Sequence, residues 1–351
     1  PSARRCSDEP RRSATRFQPS CLRHDATPRR KAGTVARLTR RTNRRGLLAL
    51  LAALPGCAAA EASLTQLVAV PPLPEGGALR LLGGLEIDRG VLGFGGLSGL
   101  HLAPDLTLTA ISDLARFAEF RLRLDDRLRP QALVLLRRGR LGDGRGQPLA
   151  RGHAGDAESL ARLPDAWLVG FERWHRIRRY QDLAGPGAEV AAPPGLEAAP
   201  GNGGLEALAV LAGGRWLALS EALSAPEHPG ATRGWIGGPD AWQPLAWRSG
   251  PGMSPVDAAP LPDGGALVLE RAFSWIGGFR GRLVRVPEAA LRPGTLIEGT
   301  EILSLSDPLP AENWEGVSVL AHQGRTLVAL VSDDNESAFQ RSLFLLLELL
   351  P

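Results

Sequence analysis

Apolar residues in this chain fall into short runs that come in pairs. A small or acidic residue leads a Leu- or Val-rich run, a Gly- or Pro-rich turn follows, and a second apolar run ends on a carboxylate. The pattern reads Leu97-Ser98-Gly99-Leu100 ending at Asp113, Ala157-Glu158-Ser159-Leu160 ending at Glu172, and Leu205-Glu206-Ala207-Leu208 ending at Glu221. It continues with Val256-Asp257-Ala258-Ala259 ending at Glu270 and Trp314-Glu315-Gly316-Val317 ending at Asp333. The marked positions lie 15, 14, 15, 13 and 18 residues apart within a unit, which suits a strand, a tight turn and a returning strand.

Successive units start 60, 48, 51 and 58 residues apart. That period is close to the roughly 40 to 50 residues of a four-stranded propeller blade. The pattern therefore predicts an all-β chain folded as a single β-propeller, in which equivalent strand ends face one another around a central channel. Here that ring is acidic. Further strands are expected at Ala78 to Ile87, Phe120 to Leu124, Ala132 to Leu136, Arg176 to Tyr180, Trp242 to Trp247, Gly281 to Val286 and Leu343 to Leu350. The first and last of these are expected to pair and close the ring. Leu183 to Asn202 and Ala225 to Asp240 read as long loops, and Trp167, Trp216 and Trp275 as packing between blades.

Charge divides the chain in two. The net charge is +4, yet residues 1 to 60 hold 14 basic side chains against 3 acidic ones. Residues 61 to 351 carry 27 basic and 34 acidic side chains, a net of −7. An acidic domain has no face with which to displace counterions from phosphates, so nucleic acid is excluded as a partner. Asn43-Arg44-Arg45-Gly46-Leu47-Leu48 has the form of a twin-arginine export motif, followed by an apolar stretch too short to span a bilayer. Residues 1 to 60 thus read as a disordered segment plus an export signal. Cleavage is expected after Ala60, or before Cys57 if that cysteine serves as a lipid anchor; the expected location is the periplasm or a membrane-anchored lipoprotein.

The three cysteines and the only lysine, Lys31, all precede residue 61, which removes thiol and Schiff-base chemistry from the domain. No His pair has metal-ligand spacing, and Gly96-Leu97-Ser98-Gly99 is not a nucleophile elbow. Carboxylate, Arg and single-His chemistry remains. The candidate cation ligands are Asp113, Glu158, Glu172, Glu206, Glu221, Glu270, Glu315 and Asp333, with Glu270 and Glu315 foremost. Carboxylates about 5 Å apart repel by about 3 kcal/mol at an effective dielectric of about 20, so a ring of them needs protons, arginines or a cation. An all-oxygen donor set favours a hard divalent cation, Ca²⁺ first. His153, just before Asp156 and Glu158, is a candidate acid or base.

Asn202-Gly203-Gly204-Leu205-Glu206-Ala207-Leu208-Ala209, Leu267-Val268-Leu269-Glu270-Arg271, Asn313-Trp314-Glu315-Gly316-Val317 and Val331-Ser332-Asp333-Asp334-Asn335 resemble the bacterial phytase-like domain known for esterase-like activity of phytase. The resemblance covers about Leu82 to Leu350. It implies a propeller, six-bladed by this resemblance, export from the cytoplasm, and hydrolysis of a small phosphate or carboxylic ester with a divalent cation. In that setting Arg173 and Arg271 are the candidates to steady developing negative charge. Two other readings stay open on the residues alone: a non-catalytic propeller with a structural cation, and a propeller lactonase.

Overall fold

A computed structural model of the chain describes residues 63–351. The leader, the cleavage positions and Cys57 lie outside the described residues. Among those described, no helix is long and apolar enough to cross a membrane.

The strands run in chain order as β1 (Thr65–Val68), β2 (Leu79–Ile87), β3 (Leu97–Leu102), β4 (Thr107–Ser112), β5 (Arg116–Leu124) and β6 (Pro130–Arg140). Next come β7 (Ala157–Arg162), β8 (Trp167–Phe171), β9 (Arg176–Tyr180) and β10 (Gly187–Val190). They are followed by β11 (Leu205–Val210), β12 (Trp216–Ser224), β13 (Thr232–Gly237) and β14 (Gln243–Trp247). The chain ends with β15 (Ser254–Pro260), β16 (Ala266–Ser274), β17 (Gly278–Val286), β18 (Leu296–Ile297), β19 (Thr300–Leu305), β20 (Asn313–His322), β21 (Arg325–Asp333) and β22 (Leu343–Leu349).

These form five sheets, ordered β3-β4-β5-β6, β7-β8-β9-β10, β11-β12-β13-β14-β18, β15-β16-β17-β19 and β20-β21-β22-β2-β1. We number the blades one to five in that order. The first strands touch in a closed cycle, β3 to β7 to β11 to β15 to β20 and back to β3. The fold is thus a β-propeller of five blades. Among the described residues there is no sixth blade, because those it would have needed lie in long connections and in β1 and β2, which join the fifth blade instead of forming their own. Both expected loops also contain a strand, β10 in one and β13 in the other.

Five apolar layers, one between each pair of neighbouring blades, hold the ring together. A strand between two such layers is buried on both faces and reads as a continuous apolar run, as Leu343–Leu349 does. The hairpin between β20 and β21 shows how local sequence sets register. Gln323 and Gly324 both have positive φ, 50° and 75°, and His322 pairs with Arg325, the geometry of a two-residue type I′ turn.

Every first strand carries a β-bulge at the same height. Ladder pairing skips Ser98 and Gly99 in β3, Glu158 in β7, Glu206 in β11, Val256 in β15 and Glu315 in β20. A bulge bends its strand and re-aims the extra residue. Here it directs Ser98, Glu158, Glu206 and Glu315 toward one end of the channel. Below that level Leu100, Leu160, Leu208, Ala258 and Val317 narrow the channel to a space of about 50 Å³, so the wide mouth is on the bulge side.

Candidate functional site

The mouth is a cavity of about 320 Å³ lined by eight carboxylates, two arginines, Ser98, Asn202 and Asn335. Two positions per blade build it, except in the fourth blade, which contributes one. The first is the bulge residue. The second is one position beyond the last regular pair of the second strand: Asp113, Glu172 and Glu221 in the first three blades. Their backbone N–H groups donate to the carbonyls of Gly96, Asp156 and Gly204, one step before each bulge region, which fixes the equivalence.

Ladder register identifies the corresponding residue in the other two blades. Asn313 pairs with Asp333, and Ser254 pairs with Arg271. The fourth blade therefore presents Arg271 where its neighbours present acids, while its bulge residue, Val256, is buried in the apolar layer. Glu270 points the other way, fully buried, and accepts from Trp247 Nε1 at 2.9 Å, Gly250 N at 3.0 Å and Arg282 Nε at 2.6 Å. It fastens the third blade to the fourth and is not a channel-mouth ligand. A spacing of 15 residues from Val256 to Arg271, in place of 13 from Asp257 to Glu270, is the sequence signal that matches the other units. Asp257 is buried as well, its carboxylate accepting from Ala258 N at 2.8 Å and Val317 N at 2.7 Å.

The other seven expected ligands, Asp113, Glu158, Glu172, Glu206, Glu221, Glu315 and Asp333, all line the cavity. Asp156 joins them and was missed, although its position two residues before Glu158 puts it near the same strand end. Two carboxylate triads stand out, Asp156 with Glu158 and Glu172, and Glu172 with Glu206 and Glu221; in each, one oxygen per residue lies within 4.8 Å of the others. Glu172 belongs to both. Its Oε1 accepts from the N–H groups of Gly203 and Gly204. A Cβ on Gly204 would lie 2.2 Å from the His175 ring, so the Gly-Gly step lets this backbone reach the carboxylate.

The arginines divide the mouth unequally. Arg271 lies 3.1 Å from Glu315 and 3.6 Å from Glu221, and donates to Asn313 Oδ1 at 2.8 Å. Asn313 in turn donates to Asp333 Oδ2 at 3.3 Å. Arg173 Nε is 2.5 Å from Asp156 Oδ2. Arg173 has a φ of 55°, and this left-handed step turns the chain sharply between Glu172 and Trp174. The buried Arg176 steadies that turn by donating to the carbonyls of Trp174 and Ala154. His153 is exposed and does not line the cavity.

Burial and mutual repulsion raise the carboxyl pKa values. Asp113 is pushed up to about 7 by burial, then by Asp333 and Asp156. Asp333 also rises to about 7, by burial and by Glu315. Glu315 reaches about 7 through burial, with Arg271 opposing. Glu158 and Glu206 are pushed well above the usual carboxylate range by burial and by their acidic neighbours. Two arginines therefore do not neutralise the ring.

Of the tryptophans expected in packing, Trp216 is buried and Trp167 half-buried, but Trp275 is 95% exposed at the β16–β17 turn. That turn continues beyond Arg271 on the mouth side.

No curated protein sequence matches the chain. Among solved structures, the PQQ-bound aldose sugar dehydrogenase of Streptomyces coelicolor is similar at 15% identity and a TM-score of 0.44, covering 79% of this chain and 99% of that one. The α-L-arabinofuranosidase of Podospora anserina in complex with cellotriose is similar at 11% identity and a TM-score of 0.44, covering 75% and 93%. The glutaminyl cyclase of Myxococcus xanthus is similar at 10% identity and a TM-score of 0.40, covering 82% and 97%. Likeness of this order says nothing about reaction or ligand. The match to the phytase-like family, described as esterase-like activity of phytase, runs over residues 92–336 and takes in every residue that lines the acidic mouth: the chain belongs to that family.

Proposed function

We propose that this domain is an exported hydrolase of ester or phosphoester bonds that works with a divalent cation at the acidic mouth. The observation that carries the proposal is the pair of carboxylate triads sharing Glu172, beside two arginines in one open cavity. The donor chemistry fits a hard cation: eight carboxylates, no thiolate and no imidazole line the cavity. Asp156, Glu158, Glu172, Glu206 and Glu221 are the residues to hold it, and the all-oxygen set favours Ca²⁺. When bound, such an ion polarises an ester oxygen and lowers the pKa of water.

The chain's own groups supply the rest. Arg271, held by Glu315, Glu221 and Asn313, keeps a guanidinium fixed at the wall, where it meets negative charge that develops on a substrate oxygen. Arg173 does the same from the second blade while its contact with Asp156 orients that carboxylate. Asp113 and Glu315, both near pKa 7, are able to take a proton from water or return one to a leaving oxygen at neutral pH. The twin-arginine-like leader supports export to the periplasm, with Cys57 as the anchor if the protein is lipidated.

A hydrolysis panel on the purified chain, with and without chelator, tests this reading. It comprises phosphomonoesters, phytate, short-chain carboxylic esters and lactones. Chelator-sensitive turnover of any ester class supports the proposal, and turnover confined to lactones narrows it. Chelator-sensitive melting without any turnover assigns the ring to a structural cation in a binding module.

A further inference from the structure

Just beyond Arg271, which lines the mouth, the β16–β17 hairpin carries a chemically different surface. The β16–β17 ladder is regular from Ala266 to Ser274, so side chains alternate strictly along it. Phe273 therefore leaves β16 on the same face as Arg271, about 6.8 Å further out from the ring. Across the ladder Phe273 pairs with Phe279, ring centroids 4.8 Å apart, and Trp275 packs edge-on against it at 5.4 Å. Opposite Arg271 stands Gly281, which leaves that strip of the hairpin without a side chain. The cluster is not spent on the core: Phe273 is 50% exposed, Trp275 95%, and Ile276 fully.

All four strongly exposed aromatics among the described residues, Trp174, Phe273, Trp275 and Phe339, lie at the connections that open on the acidic end. Trp174 directly follows Arg173, as Phe273 closely follows Arg271. Each arginine of the mouth is thus followed within two residues by an exposed aromatic.

We propose that Phe273, Trp275 and Phe279 form a binding wall for an apolar or aromatic group on the substrate, so that the site selects esters whose anionic or ester head enters the carboxylate ring while a ring or acyl portion lies against the β16–β17 hairpin. The proposal rests on the reading of the mouth as an ester site. A membrane surface is the weaker occupant, because Phe273 shares a strand face with Arg271 of the mouth and the domain is acidic. Burial of one aromatic face against two others corresponds to about a tenfold gain in affinity.

The test uses the full chain with Ca²⁺ and three non-hydrolysable probes followed by ligand-observed NMR: methylphosphonate for the head, benzyl alcohol for the ring, and benzylphosphonate for both. Benzylphosphonate is expected to bind about tenfold more tightly than methylphosphonate. Phe273→Ala combined with Trp275→Ala should remove that ratio and leave methylphosphonate unchanged. Trp275→Ala alone, at a side chain with almost no contacts to lose, should reduce the ratio without affecting the fold. Equal binding of the two phosphonates to the unaltered chain overturns the wall, as does a ratio that survives both variants. Binding of no probe also overturns it, and so does aromatic-dependent sedimentation with neutral phosphatidylcholine vesicles in place of the ratio. If methylphosphonate fails to bind while benzyl alcohol binds in a Phe273-dependent way, the ester reading falls and the wall stands.

Discussion

Glu270 and Arg271 are neighbours on β16 and serve opposite sides of the fourth blade. Glu270 faces the seam with the third blade and accepts from Trp247, Gly250 and Arg282, whereas Arg271 faces the channel and bridges Glu221 and Glu315. The two side chains sit side by side in sequence, yet one holds blades together and the other sets the charge of the mouth. Substitutions at the two positions should separate these effects.

Glu270→Ala should destabilise the domain by about 3–5 kcal/mol, because it removes a fully buried charge from the seam, leaving Gly250 N without its acceptor and Arg282 with only the longer contact to Glu301. Cation affinity of the folded fraction should stay unchanged. Denaturant unfolding together with a cation titration checks this; a lost cation response with intact stability would return Glu270 to the mouth.

Glu172→Gln should weaken the cation more than any other single change in the ring, since Glu172 serves both triads. A cation at one hundred times its dissociation constant stabilises the folded state by about 2.7 kcal/mol, so chelation should lower the melting temperature of the unaltered chain and much less that of the variant. Glu288→Gln, on an exposed turn, should behave as the unaltered chain. Calorimetric melting with and without chelator measures both.

Arg271→Met should reduce kcat about 100-fold with a smaller change in KM, if the guanidinium acts mainly on charge that develops during the reaction. The neighbouring Glu221 and Glu315 lose the group that opposes their raised pKa values, so the lower limb of the pH profile should move upward. Equal losses in kcat/KM through KM alone would assign Arg271 to ground-state binding.

Without a cation, stability should fall as pH rises from about 4 to 7. Asp113, Glu315 and Asp333 have folded pKa values raised to about 7, above those of the unfolded chain, so the folded state holds the extra protons. Their favourable contribution is complete below the unfolded pKa and is lost as pH climbs through the folded one. Saturating Ca²⁺ should flatten this slope, and its binding should release protons. Melting temperature against pH, in chelator and in excess cation, tests the sign; a melting temperature that rises over this window in chelator contradicts it.

Much of the fold could be read from Leu- and Val-rich pairs because inner hairpins are buried on both faces and leave strong apolar runs. Seven of the eight expected ligands reached the mouth because equivalent strand ends meet at one height: bulges turn Glu158, Glu206 and Glu315 inward, and Asp113, Glu172, Glu221 and Asp333 stand at the ends of the second strands. Glu270 was misplaced because a strand's alternation makes a one-residue error a change of face, and the wrong residue was the acidic one. Asp156 depended on a turn, and the meeting of Asn313 with Arg271 on two blades packing, neither of which leaves a periodic trace. The sixth blade was expected from the family resemblance, whereas the chain's own pattern shows five marked hairpins, one for each blade found. Trp275 looked like core from its residue type alone; its exposure follows from its place on a hairpin tip.

Completion of the fifth blade by both ends of the domain has a consequence for biosynthesis. Leu79–Ile87 pairs with Leu343–Leu349, so an elongating polypeptide carries an unfilled sheet edge until Leu343–Leu349 has left the ribosome. Four blades can then form in succession while the circle is still open, and Glu315 and Asp333, which complete the mouth, arrive with the final strands. The two carboxylate triads belong to the second and third blades and can assemble early, whereas the full acidic ring exists only after the step that closes the circle.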